Sequence, residues 1–158
     1  RIFNPGTPEP DGLDCRHKGQ AWLITVDDGK KTNAKLIQTG TYKFMDKVYT
    51  IDDKYGLEAI LEEIKKDEPE KTIARISLKG RVDEDVYDYR QEIYRSIEDN
   101  IIYLMVEDSD FKIKITTEKI HKEFSDGSFP QELLLPLSDD EDTLQLAYEL
   151  IMEVRNDN

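Results

Sequence analysis

Apolar and polar residues alternate most clearly between Lys71 and Val106, where the pattern reads strand, helix, strand. Thr72, Ala74, Ile76 and Leu78 fall on one side of a two-residue repeat; Arg75, Ser77 and Lys79 fall on the other, with Ile73 the one exception. That repeat marks a strand with one buried and one wet face. Gly80-Arg81 is expected to end it. From Asp83 to Asp99 the apolar positions Val86, Tyr89, Ile93 and Ile97 recur at helical spacing. Asn100 closes that helix. Ile101-Ile102-Tyr103-Leu104-Met105-Val106, the most continuously apolar run in the chain, then suits a strand covered on both faces.

The remaining elements hang on this unit. Arg1-Ile2-Phe3-Asn4 reads as a short strand, and the three prolines and two glycines between Asn4 and Gly12 fix a loop. Gly19 to Asp27 is expected as a strand, with Trp22, Ile24 and Val26 on one face and Ala21, Leu23 and Thr25 on the other. Asp28-Gly29 turns it into a second arm, Asn33 to Gln38. Thr41 to Ile51 reads as extended, with Tyr42 and Phe44 on one face and Met45, Tyr49 and Ile51 on the other, so a bulge is expected near Asp46. Asp52 and Asp53 can cap a helix striped by Leu57, Ile60, Leu61 and Ile64 and ended by Pro69. After Val106, Asp108 to Asp110 is expected as a turn and Phe111 to Ile115 as a strand returning in a hairpin.

The last forty residues read as helical. Ser128 with Gln131 and Ser138 with Glu141 have capping-box spacing, and a final helix from about Asp139 to Val154 turns Leu144, Ala147, Tyr148, Ile151 and Val154 inward. The expected class is α/β (α+β): a β-hairpin, then a two-layer α/β sandwich, then C-terminal helices.

Composition changes this picture in two ways. Hydrophobic residues make up 37% and charged residues 36% of 158, more polar than an average domain yet periodic enough to fold. The net charge of −13 is uneven. Residues 1–40 carry six Lys or Arg against five Asp or Glu, whereas residues 116–158 carry three against eleven. An acidic body repels phosphate backbones, so autonomous DNA binding is disfavoured. With the shift after Gly40 as a seam, residues 1–40 and 41–158 are the expected domains. The absence of a bilayer-spanning apolar run and the single cysteine, Cys15, fit a reducing cytoplasm. The opening on Arg1, with no initiator Met, reads as an excised or trimmed piece.

Little in the sequence carries chemistry. Asp14-Cys15-Arg16-His17-Lys18 superficially resembles a metal cluster, but a Cys and a His two apart cannot readily close on one tetrahedral ion, and no second pair exists. His121 sits in a Lys/Glu-rich helix and is expected to be exposed. No Gly-rich phosphate loop or serine triad is present. The run Ser138-Asp139-Asp140-Glu141-Asp142 is better read as negative charge at a helix N-terminus than as a cation site. One positive feature remains. Arg75, Lys79 and Arg81 on one strand, with Lys112 and Lys114 on another, would form a basic strip able to touch a DNA backbone if the strands share a sheet and that face is open. Otherwise helices cover the face, or the lysines guard an edge strand.

Asn4-Pro5-Gly6-Thr7-Pro8-Glu9, followed by Asp14 through Lys18-Gly19 to Val26, resembles the end of the catalytic domain of SbcD-type DNA repair exonucleases, in the calcineurin-like metallophosphoesterase superfamily. Arg75-Ile76-Ser77-Leu78-Lys79-Gly80-Arg81 is similar to a strand of that family's capping domain. Thr7 stands where the family usually has Ser, and Cys15-Arg16-His17 departs from its acidic, glycine-containing loop. The resemblance implies that residues 1–40 end a phosphoesterase sandwich and that 41–158 cap it. The family's two metal ions, usually manganese, are held by motifs upstream of this turn, so no catalytic or metal-binding residue carries over. The parent type cleaves DNA phosphodiester bonds and works with an SbcC-type ABC ATPase. The expected role is a non-catalytic cap governing DNA access. The alternative is a protein-interaction module that docks an ATPase or a second copy without touching nucleic acid; a small carboxylate enzyme is a third reading.

Overall fold

A computed structural model describes residues 4, 6–15, 17–29 and 31–156, the last by its backbone alone. The strand expected at the extreme N-terminus lies outside the described residues, as does Arg16. The chain is mixed α and β, in two compact units, Arg1–Lys112 and Ile113–Asn158.

The first unit holds two sheets. β1 (Gln20–Val26) and β2 (Thr32–Gln38) pair antiparallel, Trp22 opposite Leu36 and Ile24 opposite Ala34. The expected alternation holds, but neither face is covered: Leu23, Ile24, Val26, Leu36 and Ile37 are all exposed. The second sheet has the order β3-β4-β5, with β3 (Lys43–Thr50), β4 (Thr72–Val82) and β5 (Tyr103–Ile113). β3 and β4 run parallel. Ile102 N–H bonds Thr72 O at the start of β5, and Ser77 reaches Glu107 further along, so β5 runs the same way.

Parallel neighbours need crossovers, and two helices supply them. α1 (Lys54–Lys65) starts at Asp53, whose carboxylate accepts Gly56 N–H, and buries Leu57, Ile60 and Ile64. α2 (Glu84–Glu98) buries Val86, Ile93, Tyr94 and Ile97. These stripes meet Ala74, Ile76, Leu78 and Val82 of β4, as the two-residue repeat requires. Burying each large apolar side chain contributes about 1.5–3 kcal/mol. Both helices pack on this face, and the face bearing Arg75, Ser77 and Lys79 is left open within the unit.

Four expectations about these strands need correction. β3 has no bulge at Asp46, because its register with β4 is continuous from Lys43 to Thr50. The face changes only in appearance: Lys47 lies on the helix side, where it pairs with Glu63 of α1. β4 continues past Gly80 to Val82; at φ +136° and with Ile51 O 2.2 Å from where a Cβ would sit, Gly80 lets the neighbouring backbone close in. The expected turn at Asp108–Asp110 and separate strand at Phe111 are one strand, β5, whose acids find partners on β4 and α2. The alternation shifts by one there: Asp108 faces α2, Asp110 faces Lys79, and Phe111 is buried, stacked 5.7 Å from Tyr87. Finally, the apolar run at the start of β5 is covered on one side only, with Ile102, Tyr103 and Met105 exposed.

The second unit is helical: α3 (Thr117–Glu123), α4 (Phe129–Leu134), a 3-10 turn at Leu135–Leu137 and α5 (Glu141–Asn156). Its core is Ile115, Ile120, Phe124, Leu134 and Leu144, with Ala147, Tyr148 and Ile151 against it; Val154, expected inside, is exposed. Asp140, not Ser138, caps α5, accepting Thr143 N–H and Oγ–H. Ser128 stands at the α4 N-cap without a side-chain bond, while Gln131 turns back to accept Gly127 N–H. No helix among the described residues is long and apolar enough to cross a membrane.

Candidate nucleic-acid interface on the open sheet face

The β3–β4 register sets Asp46 beside Arg75, Val48 beside Ser77 and Thr50 beside Lys79 on the open face. The basic residues of β4 therefore stand among acids. Arg75 donates through Nε to Asp46 Oδ1 at 2.9 Å and through Nη2 to Oδ2 at 2.5 Å, a bidentate pair, and Glu107 Oε1 lies 4.0 Å from Nη1. Ser77 Oγ donates to Glu107 Oε2 at 3.1 Å, and Lys79 Nζ is 3.5 Å from Asp110. Arg75 holds the Asp46 carboxyl below its ordinary range, and Asp46 in turn strengthens the charge on Arg75.

Of the five residues expected to form a basic strip, Arg75 and Lys79 share this face. Arg81 and Lys112 belong to the same sheet and are half-buried. Lys114 lies in the second unit, paired with Glu141 at 2.7 Å. Counting only Arg75 and Lys79 against Asp46, Glu107 and Asp110, the centre of the face carries one more negative than positive charge. It is a salt-bridged surface, and a phosphate could engage Arg75 only by taking the place of Asp46.

The Cys15–His17 loop closes on itself. Cys15 Sγ donates to Asp11 Oδ1 at 3.0 Å. Gly19 N–H donates to His17 Nδ1 at 3.1 Å, so a neutral His17 carries its proton on Nε2, 3.0 Å from Thr7 Oγ1. Among the described residues no group of three or more His, Cys, Asp and Glu side chains comes together to hold a metal ion. The residues here do not fit the manganese pair that the family resemblance implies. His121 is exposed as expected, taking a hydrogen bond from Gln131 Nε2, the proton placed by that network.

Sequence patterning does not reveal a second polar cluster, on the helix side of the sheet. Asp108 Oδ2 accepts Arg90 Nε–H and the Tyr94 hydroxyl, both at 3.1 Å. The Arg90 guanidinium lies 3.5 Å over the Tyr87 ring and donates to Tyr87 O at 2.6 Å. Burial and the Asp108 charge keep the Tyr94 phenol protonated well above its ordinary range, so it remains a donor. Its signal in the sequence is the spacing of Arg90 and Tyr94, one helical turn apart. Compared with protein-family models and with curated proteins, the chain gives no match.

Proposed function

We propose that this chain is a non-catalytic capping module that governs DNA access in a metal-dependent DNA nuclease of the SbcD type, a cytoplasmic repair enzyme partnered by an SbcC-type ATPase. The observation that carries this reading is the β1–β2 hairpin, apolar on both faces and exposed on both. A free two-stranded hairpin is marginal in water; strands apolar on both sides belong inside a layered sheet. The resemblance supplies that sheet as the phosphoesterase sandwich, and the α/β sandwich after Gly40 is then the cap.

The seam between them is built rather than slack. Glu9 accepts Thr41 N–H and Tyr42 N–H, Thr39 Oγ donates to Pro8 O, and Gly40 N–H donates to Lys18 O. In this reading the cap acts sterically and electrostatically. Its acidic body turns duplex away from wrong paths, and Arg75 and Lys79 guide the backbone where phosphate displaces their carboxylates. The acid pairing of Arg75 favours a second reading, a protein-docking module without nucleic-acid contact.

Two measurements separate these. The purified chain is expected to show no manganese-dependent cleavage of DNA or of a small phosphodiester, both of which the full-length nuclease cleaves. In that nuclease, Arg75→Glu with Lys79→Glu is expected to lower DNA cleavage and spare the small substrate. Loss of both activities would assign the two residues to folding; loss of neither would favour the docking module.

A further inference from the structure

Residues 39–42 join β2 to β3. Among the described residues, no side chain of β1 or β2 belongs to the core between the sheet and its two helices. Apolar packing therefore does not set the angle between the hairpin and the α/β sandwich, and the joining residues carry that task. Each of their N–H groups is bonded. Thr39 and Gly40 donate to Gly19 O and Lys18 O, both at 3.2 Å, and so extend the hairpin itself. A Cβ on Gly40 would lie 2.1 Å from Lys18 O, so backbone is pressed against backbone there. Thr41 and Tyr42, the last two residues before β3, donate instead to a side chain, Glu9.

Glu9 is built to hold them. It stands between Pro8 and Pro10, whose rings fix φ on either side and confine the Glu9 backbone to extended conformations. Gln20 N–H donates to Thr7 O at 3.0 Å and Thr39 Oγ1 to Pro8 O at 2.6 Å, which ties this stretch to the base of the hairpin. The carboxylate spans both amides. Oε1 accepts Thr41 N–H and Tyr42 N–H, each at 2.6 Å, and Oε2 accepts Thr41 N–H at 2.9 Å. Bonds to an ionised acceptor are about twice as strong as neutral ones. With the carboxylate removed, the two soft dihedrals of Thr41 and the two of Tyr42 would lie free between the hairpin and β3.

We propose that Glu9 is a clasp that fixes the angle of the α/β sandwich to the hairpin, and that Thr41–Tyr42 is the hinge it holds shut. Glu9 is then a positioning residue: it touches neither DNA nor metal, and acts by holding the sandwich in one orientation. The consequence for function rests on the cap reading. In that reading the cap is a fixed wall beside the cleft rather than a swinging lid, and DNA meets one surface at every encounter.

The clasp is tested in the 158-residue chain by N–H residual dipolar couplings in a weakly aligning medium. In the unaltered chain, the couplings of β1 and β2 are expected to fit the same alignment tensor as those of β3, β4, α1 and α2. Glu9→Met keeps length and bulk but removes the charge and the strong acceptors. It is expected to split the couplings into two tensors of different magnitude while the amide shifts of α1 and α2 stay in place. Glu9→Asp, shorter by one methylene, is the milder variant and is expected to split them in the same way. Two tensors in the unaltered chain, or a single tensor in either folded variant, would overturn the clasp. In the full-length nuclease, Glu9→Met is expected to raise KM for DNA about tenfold, the cost of re-ordering two residues at each encounter, and to leave cleavage of a small phosphodiester unchanged. An unchanged KM for DNA, in a variant whose couplings split, would leave the clasp standing and overturn its bearing on DNA access.

Discussion

Asp108 lies under α2 with Arg90 and Tyr94 both donating to one of its oxygens. Arg90 is only 13% exposed at the side chain, and Asp108 34%. Replacing Asp108 by Asn keeps the shape and one acceptor oxygen but removes the charge that Arg90 faces. A hydrogen bond to a charged group contributes about 1.5–3 kcal/mol, and water at the exposed third of Asp108 places this site near the bottom of that range, about 1.5 kcal/mol. Asp108→Ala leaves Arg90 without its carboxylate and strands two donors, an expected loss of about 3 kcal/mol. Asp46→Asn provides the contrast. Arg75 and Asp46 are each 35% exposed, and solvent screens their pair, so the same chemical change there is expected to cost clearly less than at Asp108. Native-state hydrogen exchange of the α2 amides reads the difference, since about 1.4 kcal/mol is a tenfold loss of protection. If Asp108→Asn changes α2 protection no more than Asp46→Asn does, the cluster is an ordinary surface ion pair and the reasoning fails.

Other outcomes follow from single contacts. Gly80→Ala drives a Cβ against Ile51 O in a backbone region that L residues rarely adopt; a loss of about 3 kcal/mol is expected in urea unfolding, and a change below about 1 would refute the close approach. Glu9→Gln leaves one oxygen where two now serve Thr41 and Tyr42 N–H, so those amides should exchange faster while α1 and α2 keep their protection. The Glu63 carboxyl is held below its ordinary range first by the Lys47 hydrogen bond, with Tyr49 adding to it. The sign follows: the tie between β3 and α1 stabilises at pH above the ordinary glutamate value and is lost as pH falls through the depressed one. In a carbon-detected titration Lys47→Met should return Glu63 toward its ordinary midpoint, and an unmoved midpoint would remove Lys47 as the cause.

The helices were readable because their stripes are clean. Leu57, Ile60 and Ile64 recur at three- and four-residue steps, and each is buried. β4 was readable for the same reason at period two. Two of the misread segments place charge where the pattern expects none. Lys47 on a covered face imitates a bulge, and Glu107, Asp108 and Asp110 within β5 imitate a turn. Their partners, on α1, α2 and β4, are far off in sequence, so no local window contains the compensation. The same limit applies to the candidate interface. The basic residues of β4 were legible, but Asp46, 29 residues earlier, neutralises Arg75, and only the register reveals it.

The ion pairs of β3 also bear on how the chain finds its fold. A hairpin fixes strand alignment through its turn, whereas a parallel pair joined through a helix has no such ruler. The composition of β3 supplies no ruler either, with Met45 and Tyr49 on one side matched by Phe44 and Val48 on the other. The charges decide. In the native alignment Lys47 meets Glu63 and Asp46 meets Arg75. A slip of one residue would turn Asp46 toward Glu63 in one direction, or Lys47 toward Arg75 in the other, so that both attractions are lost and one repulsion is gained. Pairs that add little to the stability of the finished sheet would thus reject misaligned ones during its assembly.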